Sequence, residues 1–270
     1  MCLVMPMPAT ERPGIDGVIV IDKPSGMTSF KVVNAVRRRI GIKKAGHTGT
    51  LDPMATGVLP ICLGRATKLA GLLMEGQKIY EGKIRLGVST DTYDADGKVT
   101  MTRPVPMFDI CTITEAAQMF TGCLLQTPPP FSAVKHHGQP LYKLARKGIF
   151  VKKEPRPIEI FSFELSEIAL PDITFRIRCT KGTYVRAIAH EMGEYLGSGG
   201  HLAELRRIQN GPFVIGQAID MESFNELASA DRLSEVIAPM GVVCANNNTN
   251  PCPDGSACKK IDKERQPGLF

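Results

Sequence analysis

Gly46-His47-Thr48-Gly49-Thr50-Leu51-Asp52-Pro53-Met54-Ala55-Thr56-Gly57-Val58-Leu59 is a run of small, turn-forming residues with one carboxylate at its centre. A carboxylate held in a rigid Gly/Thr loop can act as an exposed nucleophile. Turn chemistry alone gives a plainer reading, in which Asp52 caps its own backbone and is kept out of helical geometry by Pro53. Other reactive types are scattered. Asp91, Asp94 and Asp96 share a short segment, but the closing Glu and the remaining ligands of a calcium loop are missing, and a hairpin turn at Asp96-Gly97 fits better. His136 and His137 are adjacent and have no acidic or Cys partner nearby, so they do not make a metal site alone. The eight cysteines contain no Cys-x-x-Cys pair, which indicates neither a zinc site nor a disulfide framework. No phosphate-binding loop or cofactor fingerprint is present. The expectation is therefore no metal and no cofactor.

Charge separates the remaining possibilities. The chain has 270 residues and a net charge of only +6, but the cations are unevenly placed. From Lys23 to Lys78, ten Lys and Arg are opposed by Asp52 and Glu75 alone. A second basic run, Lys135, Lys143, Arg146, Lys147, Lys152, Lys153 and Arg156, is opposed only by Glu154. Basic runs are commonly solvated faces; two of them flanking a Gly-rich loop favour a polyanion partner. No apolar run approaches the ~20 residues that span a bilayer. The N-terminal residues lack the charged flank and apolar core of a signal peptide, so a cytoplasmic setting is expected.

The elements that must position these groups can be read in order. Residues 1–16 are Pro-punctuated and aperiodic, a disordered leader by composition. The β-branched run Gly17-Val18-Ile19-Val20-Ile21 predicts a buried strand. A turn at Asp22-Lys23-Pro24-Ser25-Gly26 follows, then a helix capped by Thr28 or Ser29 with Phe30, Val33, Val36 and Ile40 on its inner face. Arg65 and Lys68 stand near the start of a helix running from Gly64 to about Met74, where free N–H groups could meet phosphate. Residues 78–88 alternate as a strand, with Tyr80 on the face of Ile84, Leu86 and Val88; by periodicity Tyr80 is a core tyrosine. A short helix is expected over 114–121. Residues 126–135 are too proline-rich for a central strand. Strands resume over 158–165 and again where Ile173, Phe175, Ile177 and Cys179 alternate with polar residues. The helix after Thr183 carries Val185, Ile188, Ala189, Met192 and Leu196 on one stripe. Arg186 falls in its first turn, where the dipole disfavours a cation; it reads either as a surface arginine or as one with a local anionic partner.

Residues Gly46 to Leu59 closely resemble the catalytic-aspartate motif of the TruB-type tRNA pseudouridine synthases. Lys23-Pro24-Ser25-Gly26-Met27-Thr28-Ser29 resembles the first motif of that family, which packs beside the catalytic loop. Lys78-Ile79-Tyr80-Glu81-Gly82 aligns Tyr80 with the tyrosine that stacks on the target base. Thr180-Lys181-Gly182-Thr183-Tyr184-Val185-Arg186 resembles the second active-site motif, whose arginine pairs with the aspartate. Leu202 to Phe213 resembles the last motif, with Leu205 against the base. The resemblance covers roughly residues 17–240.

What it implies is an α+β pseudouridine synthase fold, with a large mixed, mainly antiparallel sheet, flanking helices and an RNA-clasping insertion at about 126–156. The implied reaction converts the T-loop uridine at position 55 of tRNA to pseudouridine. Asp52 is the implied nucleophile, attacking either uracil C6 or ribose C1′. Tyr80 and Arg186 complete the catalytic set, and a paired guanidinium favours the charged carboxylate in a pocket that excludes water. His47 fills or props the space left by the flipped base, with Tyr184 and Leu205 facing the substrate. Lys23, Arg65, Lys68, Lys135, Lys143, Arg146 and Lys147 are the candidate RNA contacts. The expected partner is the T-arm stem-loop, bound by a monomer without guide RNA, membrane or cofactor. Residues 241–270 read as a short tail in place of the PUA domain that many bacterial relatives carry. Two rivals remain: a non-catalytic RNA-binding or tRNA-folding protein of the same fold, and an aspartyl-nucleophile hydrolase acting on phosphates. The second would need an acidic, cation-binding neighbourhood around Asp52, whereas its neighbours in sequence are basic.

Overall fold

Apolar runs too short for a helix and bounded by turn residues form strands here, and amphipathic stretches form the helices that cover them. The computed structural model describes residues 15–151 and 153–240. The expected tail, most of the expected leader and Lys152 lie outside the described residues. Strand β1 (Gly17–Lys23), helix α1 (Ser29–Ile40), strands β2 (Ala45–His47) and β3 (Thr56–Leu63), a 3-10 turn (Gly64–Leu69) and helix α2 (Ala70–Met74) come first. Strands β4 (Lys78–Leu86), β5 (Val88–Thr90) and β6 (Val99–Thr102), helix α3 (Ile110–Met119) and strand β7 (Gly122–Gln126) follow. Then come the two-residue strands β8 (Lys135–His136) and β9 (Gln139–Pro140), helix α4 (Leu141–Ala145), and the long strands β10 (Arg156–Ala169) and β11 (Asp172–Cys179). Helix α5 (Val185–Tyr195), strands β12 (Gly200–Asn210) and β13 (Phe213–Val214), helix α6 (Met221–Ser229) and strand β14 (Ile237–Ala238) complete the described chain.

Contacts gather in two compact units within the region expected as one catalytic domain: one from the chain up to Gly76 and again from Gln209, the other from Gln77–Ile208. In the first, β1 pairs antiparallel with β3 and with β14, and β2 pairs with residues 61–63 of β3 along its opposite edge. Ile19, Ile21, Leu59, Ile61 and Leu63 pack under Val32, Val33, Val36 and Ile40 of α1 and Phe224 of α6. Val18, Val20, Val58 and Cys62 pack on the opposite face with Leu73 and Phe213. Burial on both faces explains why β1 reads as an unbroken apolar run, and each such side chain contributes roughly 1.5–3 kcal/mol of transfer free energy. Arg39 ties α1 to α6 through the Asn225 carbonyl and the Ser229 hydroxyl.

Three local expectations change. Phe30 is 70% exposed, and its expected place on the inner stripe of α1 is taken by Ser29. Ile15 and Asp16 belong to the described fold rather than to a leader, and Asp16 accepts from both the backbone and the guanidinium of Arg65. The expected helix from Gly64 begins as a 3-10 turn.

The second unit is a sheet in the order β12-β4-β11-β10-β7. Strand β11 pairs antiparallel with β4 and β10, and β10 with β7, and alternating Ile173, Phe175, Ile177 and Cys179 of β11 are buried. The β5–β6 hairpin closes through the acidic turn of residues 91–98, where Lys98 N donates to Asp91 Oδ1. The helix expected over 114–121 is α3, which starts four residues earlier because Asp109 caps it by accepting from Thr112 N. Gln126 and Arg156 are direct register partners, so residues 127–155 leave and rejoin the sheet at one point.

Candidate functional site

In the first unit, the Asp52 loop is fixed by side chains that come from outside it. Lys23 is fully buried, and its ammonium donates to the carbonyls of Pro24 at 2.8 Å, Met27 at 2.6 Å and Pro53 at 3.0 Å. An ammonium carries three donors, and matching them to fixed carbonyls offsets the cost of burying its charge. Lys23 therefore does not face RNA: it is a strut beneath the loop. Ser29 Oγ accepts from Leu51 N at 2.8 Å and lies 3.0 Å from Leu51 O, both inside the core. Asn210 Nδ2 reaches the carbonyl and hydroxyl oxygens of Thr48 at 3.3 and 3.2 Å. The Pro53 carbonyl also accepts from Gly26 N at 2.9 Å. Asp52 thus sits, half-buried, between two residues whose backbones are pinned.

Gly49 and Gly57 adopt φ values of 142° and 100° on either side of it, in the region that favours glycine. His47 is half-buried at the end of β2, and its Nδ1 accepts from Gly49 N at 3.3 Å. That leaves the proton of the neutral ring on Nε2. We expect Ser29→Ala to lower the unfolding free energy by about 1–3 kcal/mol, because both backbone groups of Leu51 lose a buried partner. A urea unfolding curve reads this directly, and an unchanged midpoint would show that Ser29 does not hold the loop.

Arg65 and Lys68 are exposed on the 3-10 turn. The free N–H group at the start of that turn meets an anion from the chain itself. Asp16 takes it, and the Arg65 backbone N–H followed by the guanidinium holds the Asp16 carboxyl below the usual range. Lys68 remains on the surface.

In the second unit, Tyr80 is 8% exposed on β4, opposite Ile177. Arg186 is 3% exposed, which excludes the surface reading. Its Nη1 donates to the Thr92 carbonyl at 2.9 Å and its Nη2 to the Phe131 carbonyl at 2.5 Å. Its guanidinium carbon lies 5.7 Å from the centroid of the Tyr184 ring, a cation–π contact. The partner that the helix dipole calls for thus includes two main-chain oxygens. Tyr93 adopts φ 68°, and its ring stacks on His190 with centroids 3.9 Å apart and planes 5° from parallel. Burial first, then the charge of Glu191, pushes the Tyr93 phenol above its ordinary range. Leu205 is half-buried on β12. Lys135, Lys143, Arg146 and Lys147 are all exposed on the insertion, and Lys153 reaches His136 Nδ1 at 3.1 Å.

Among the described residues, no group of three or more His, Cys, Asp or Glu side chains is placed to hold a metal. Burial pushes the Cys179 thiol up to about 12, with the buried cations Lys78 and Arg207 pulling the other way, and pushes the Cys62 thiol to about 11. The groups that sequence reasoning passed over are Asn210, Gln126 and the Tyr93–His190 pair. Ser29 was read only as a candidate helix cap, a place that Thr28 takes.

The profile described as "TruB family pseudouridylate synthase (N terminal domain)" matches residues 37–185, and that described as "tRNA pseudouridylate synthase B C-terminal domain" matches 186–243. A protein of Geobacter sulfurreducens named tRNA pseudouridine synthase B is 50% identical over 223 residues, 83% of this chain and 73% of that one. One of Opitutus terrae with the same name is 50% identical over 216 residues, 80% of this chain and 90% of that one. Among solved structures, a chain of a Cbf5-Nop10-Gar1 complex superposes with a TM-score of 0.65 at 29% identity, covering 87% of this chain and 67% of that chain. A chain of the archaeal box H/ACA sRNP Nop10-Cbf5 complex gives 0.63 at 28%, and the present chain spans 61% of its length.

Proposed function

The chain belongs to the TruB family of pseudouridylate synthases and isomerises uridine in tRNA, and from that premise we propose that Asp52 is its nucleophile and the T-loop uridine at position 55 its target. The observation that carries this is the construction of the Asp52 loop: Leu51 and Pro53 are pinned on either side by Ser29 and by Lys23, which fixes the carboxylate between them. A nucleophile gains most when its approach is set before the substrate arrives. The isomerisation breaks the N1–C1′ bond, turns the base and joins C5 to C1′ with loss of the C5 proton. Asp52 attacks C6 or C1′ and is released when the new bond is complete. Tyr80 stacks on the extruded base and helps take the C5 proton, and Arg186 balances the charge on Asp52. His47 props the vacated space: with Nδ1 already engaged by Gly49 N, it serves as a wedge rather than a base. Tyr184 and Leu205 line the base.

Lys135, Lys143, Arg146 and Lys147 meet T-arm phosphates from the insertion, and Arg65 and Lys68 add to the basic surface; recognition is by loop shape and backbone charge. The catalytic region spans 17–240, and the protein acts as a monomer, without guide RNA, in the cytoplasm where tRNA is modified. No helix among the described residues is long and apolar enough to cross a membrane. The test is tritium release from transcribed tRNA carrying tritium at uridine C5, with EDTA present. We expect stoichiometric release from the natural transcript and none when position 55 is cytidine. Tight binding of the T-arm without release would leave an RNA-binding protein and overturn the catalytic reading of these residues.

A further inference from the structure

The insertion is attached to the active-site helix at its root, and the attachment runs through a glutamine that no motif singled out. Gln126 ends β7 at the point where the insertion leaves the sheet, and its side chain is buried. Its Nε2 donates to the Tyr184 carbonyl at 3.0 Å, and its Oε1 accepts from Tyr184 N at 2.8 Å. The carboxamide thus pairs with the Tyr184 backbone as a neighbouring strand would, taking its N–H and sharing its carbonyl with Ala187 N and Ile188 N of the first helical turn. Tyr184 is the residue before α5 and supplies no side-chain cap, so the Gln126 amide fixes how the helix starts. Two residues on, Arg186 grips Phe131, five residues beyond Gln126. Segments 126–131 and 184–186 are therefore stapled together at two places.

The root is also tied outward. Tyr142 N donates to Ser132 O at 3.0 Å and Leu141 N to Val134 O at 2.8 Å. This places the first residues of α4, the helix that carries Lys143, directly on the segment whose Phe131 carbonyl holds Arg186. The Ser132 hydroxyl, buried beside Phe131, has no hydrogen-bond partner among the described residues. A buried polar group without a protein partner costs free energy. The other grip on Arg186 is the Thr92 carbonyl, on a turn docked against α5 by the Tyr93–His190 stack one helical turn further on.

We propose that Gln126 is a positioning residue for Arg186, and that the 126–132 root couples the insertion's hold on RNA to the placement of that guanidinium. This rests on the reading that Arg186 serves the reaction and that the insertion clasps the T-arm. Gln126→Ala removes both hydrogen bonds to Tyr184 and slows single-turnover tritium release at least about tenfold. T-arm affinity stays within about threefold, because the exposed cations are untouched. Gln126→Glu keeps the acceptor for Tyr184 N but loses the donor, and its rate falls between the two. In an Arg186→Ala background, Gln126→Ala has no further effect, since its action passes through the arginine.

A Gln126→Ala rate equal to wild type, or a loss that multiplies with Arg186→Ala, overturns the proposal. Should Gln126→Ala fail to fold, amide hydrogen exchange on Arg186→Ala decides. Faster exchange at Leu141 and Tyr142 with unchanged protection in β11 supports the coupling, and unchanged exchange at both overturns it. Wild type that releases no tritium, or Arg186→Ala as active as wild type, would instead sink the underlying reading of the site.

Discussion

Asp52→Asn should lower tritium release from C5 of the target uridine by at least about four orders of magnitude, the scale on which removing a covalent nucleophile acts. Affinity for the T-arm should stay within a few-fold if, as proposed, shape and phosphate contacts carry binding. Stability should change by less than about 0.5 kcal/mol, because Asn is nearly the same size and the loop is held by its neighbours. The Asp52 carbonyl still accepts from Ala55 N, and the grips on Leu51 and Pro53 do not involve the substituted atoms. The loss is therefore chemical rather than structural. Single-turnover release at saturating enzyme, beside a filter-binding curve, reads both quantities. Release above about a hundredth of wild type by a preparation free of deamidated protein would mean that another group attacks the ring.

Arg186→Lys should cost about 100-fold in rate, and Arg186→Ala about 1000-fold, with a simultaneous loss of roughly 2–4 kcal/mol in stability for the alanine. The two effects have separate origins. The guanidinium is a planar fork whose terminal nitrogens reach the carbonyls of Thr92 and Phe131 from a buried position. An ammonium is a point donor on a shorter, flexible stem and does not span both acceptors in the same way. Alanine leaves both carbonyls without this donor in the interior, and each unmet buried acceptor costs about 1–3 kcal/mol. Activity and urea midpoint measured on the same preparations separate the two contributions. A lysine variant with wild-type rate would show that only the charge matters and that the fork does not.

The strands were legible because their apolar patterns have one solution: residues 17–21 of β1 are apolar throughout since both faces are covered, and β11 alternates since one is not. The first helix was legible in extent but not in rotation. Phe30 and Ser29 compete for the same stripe, and hydrophobicity favours Phe30. The fold gives the inner position to Ser29 because a hydroxyl is needed under Leu51, a requirement set by a loop 22 residues away in the chain. Lys23 was misread for a related reason. In sequence it is one more cation in a basic segment, and only the three carbonyls that converge on its ammonium show that it faces inward. Arg186 stands out in the sequence only through its motif, and its burial and carbonyl partners depend on two loops whose conformations no periodicity describes. Gln126 left no trace at all, since a glutamine at a strand end is ordinary until the backbone it pairs with is known.

The register partnership of Gln126 with Arg156 has a consequence for how such a chain can diversify. An excursion that departs and returns at facing positions of a hairpin can lengthen, shorten or be exchanged without shifting any strand. Each doubling of its length costs only about 0.6 kcal/mol in closure entropy. The excursion beyond residue 132 is then a cassette. If it contacts RNA as proposed, it can be traded for one shaped to a different stem-loop, while the segment that touches the arginine stays with the scaffold.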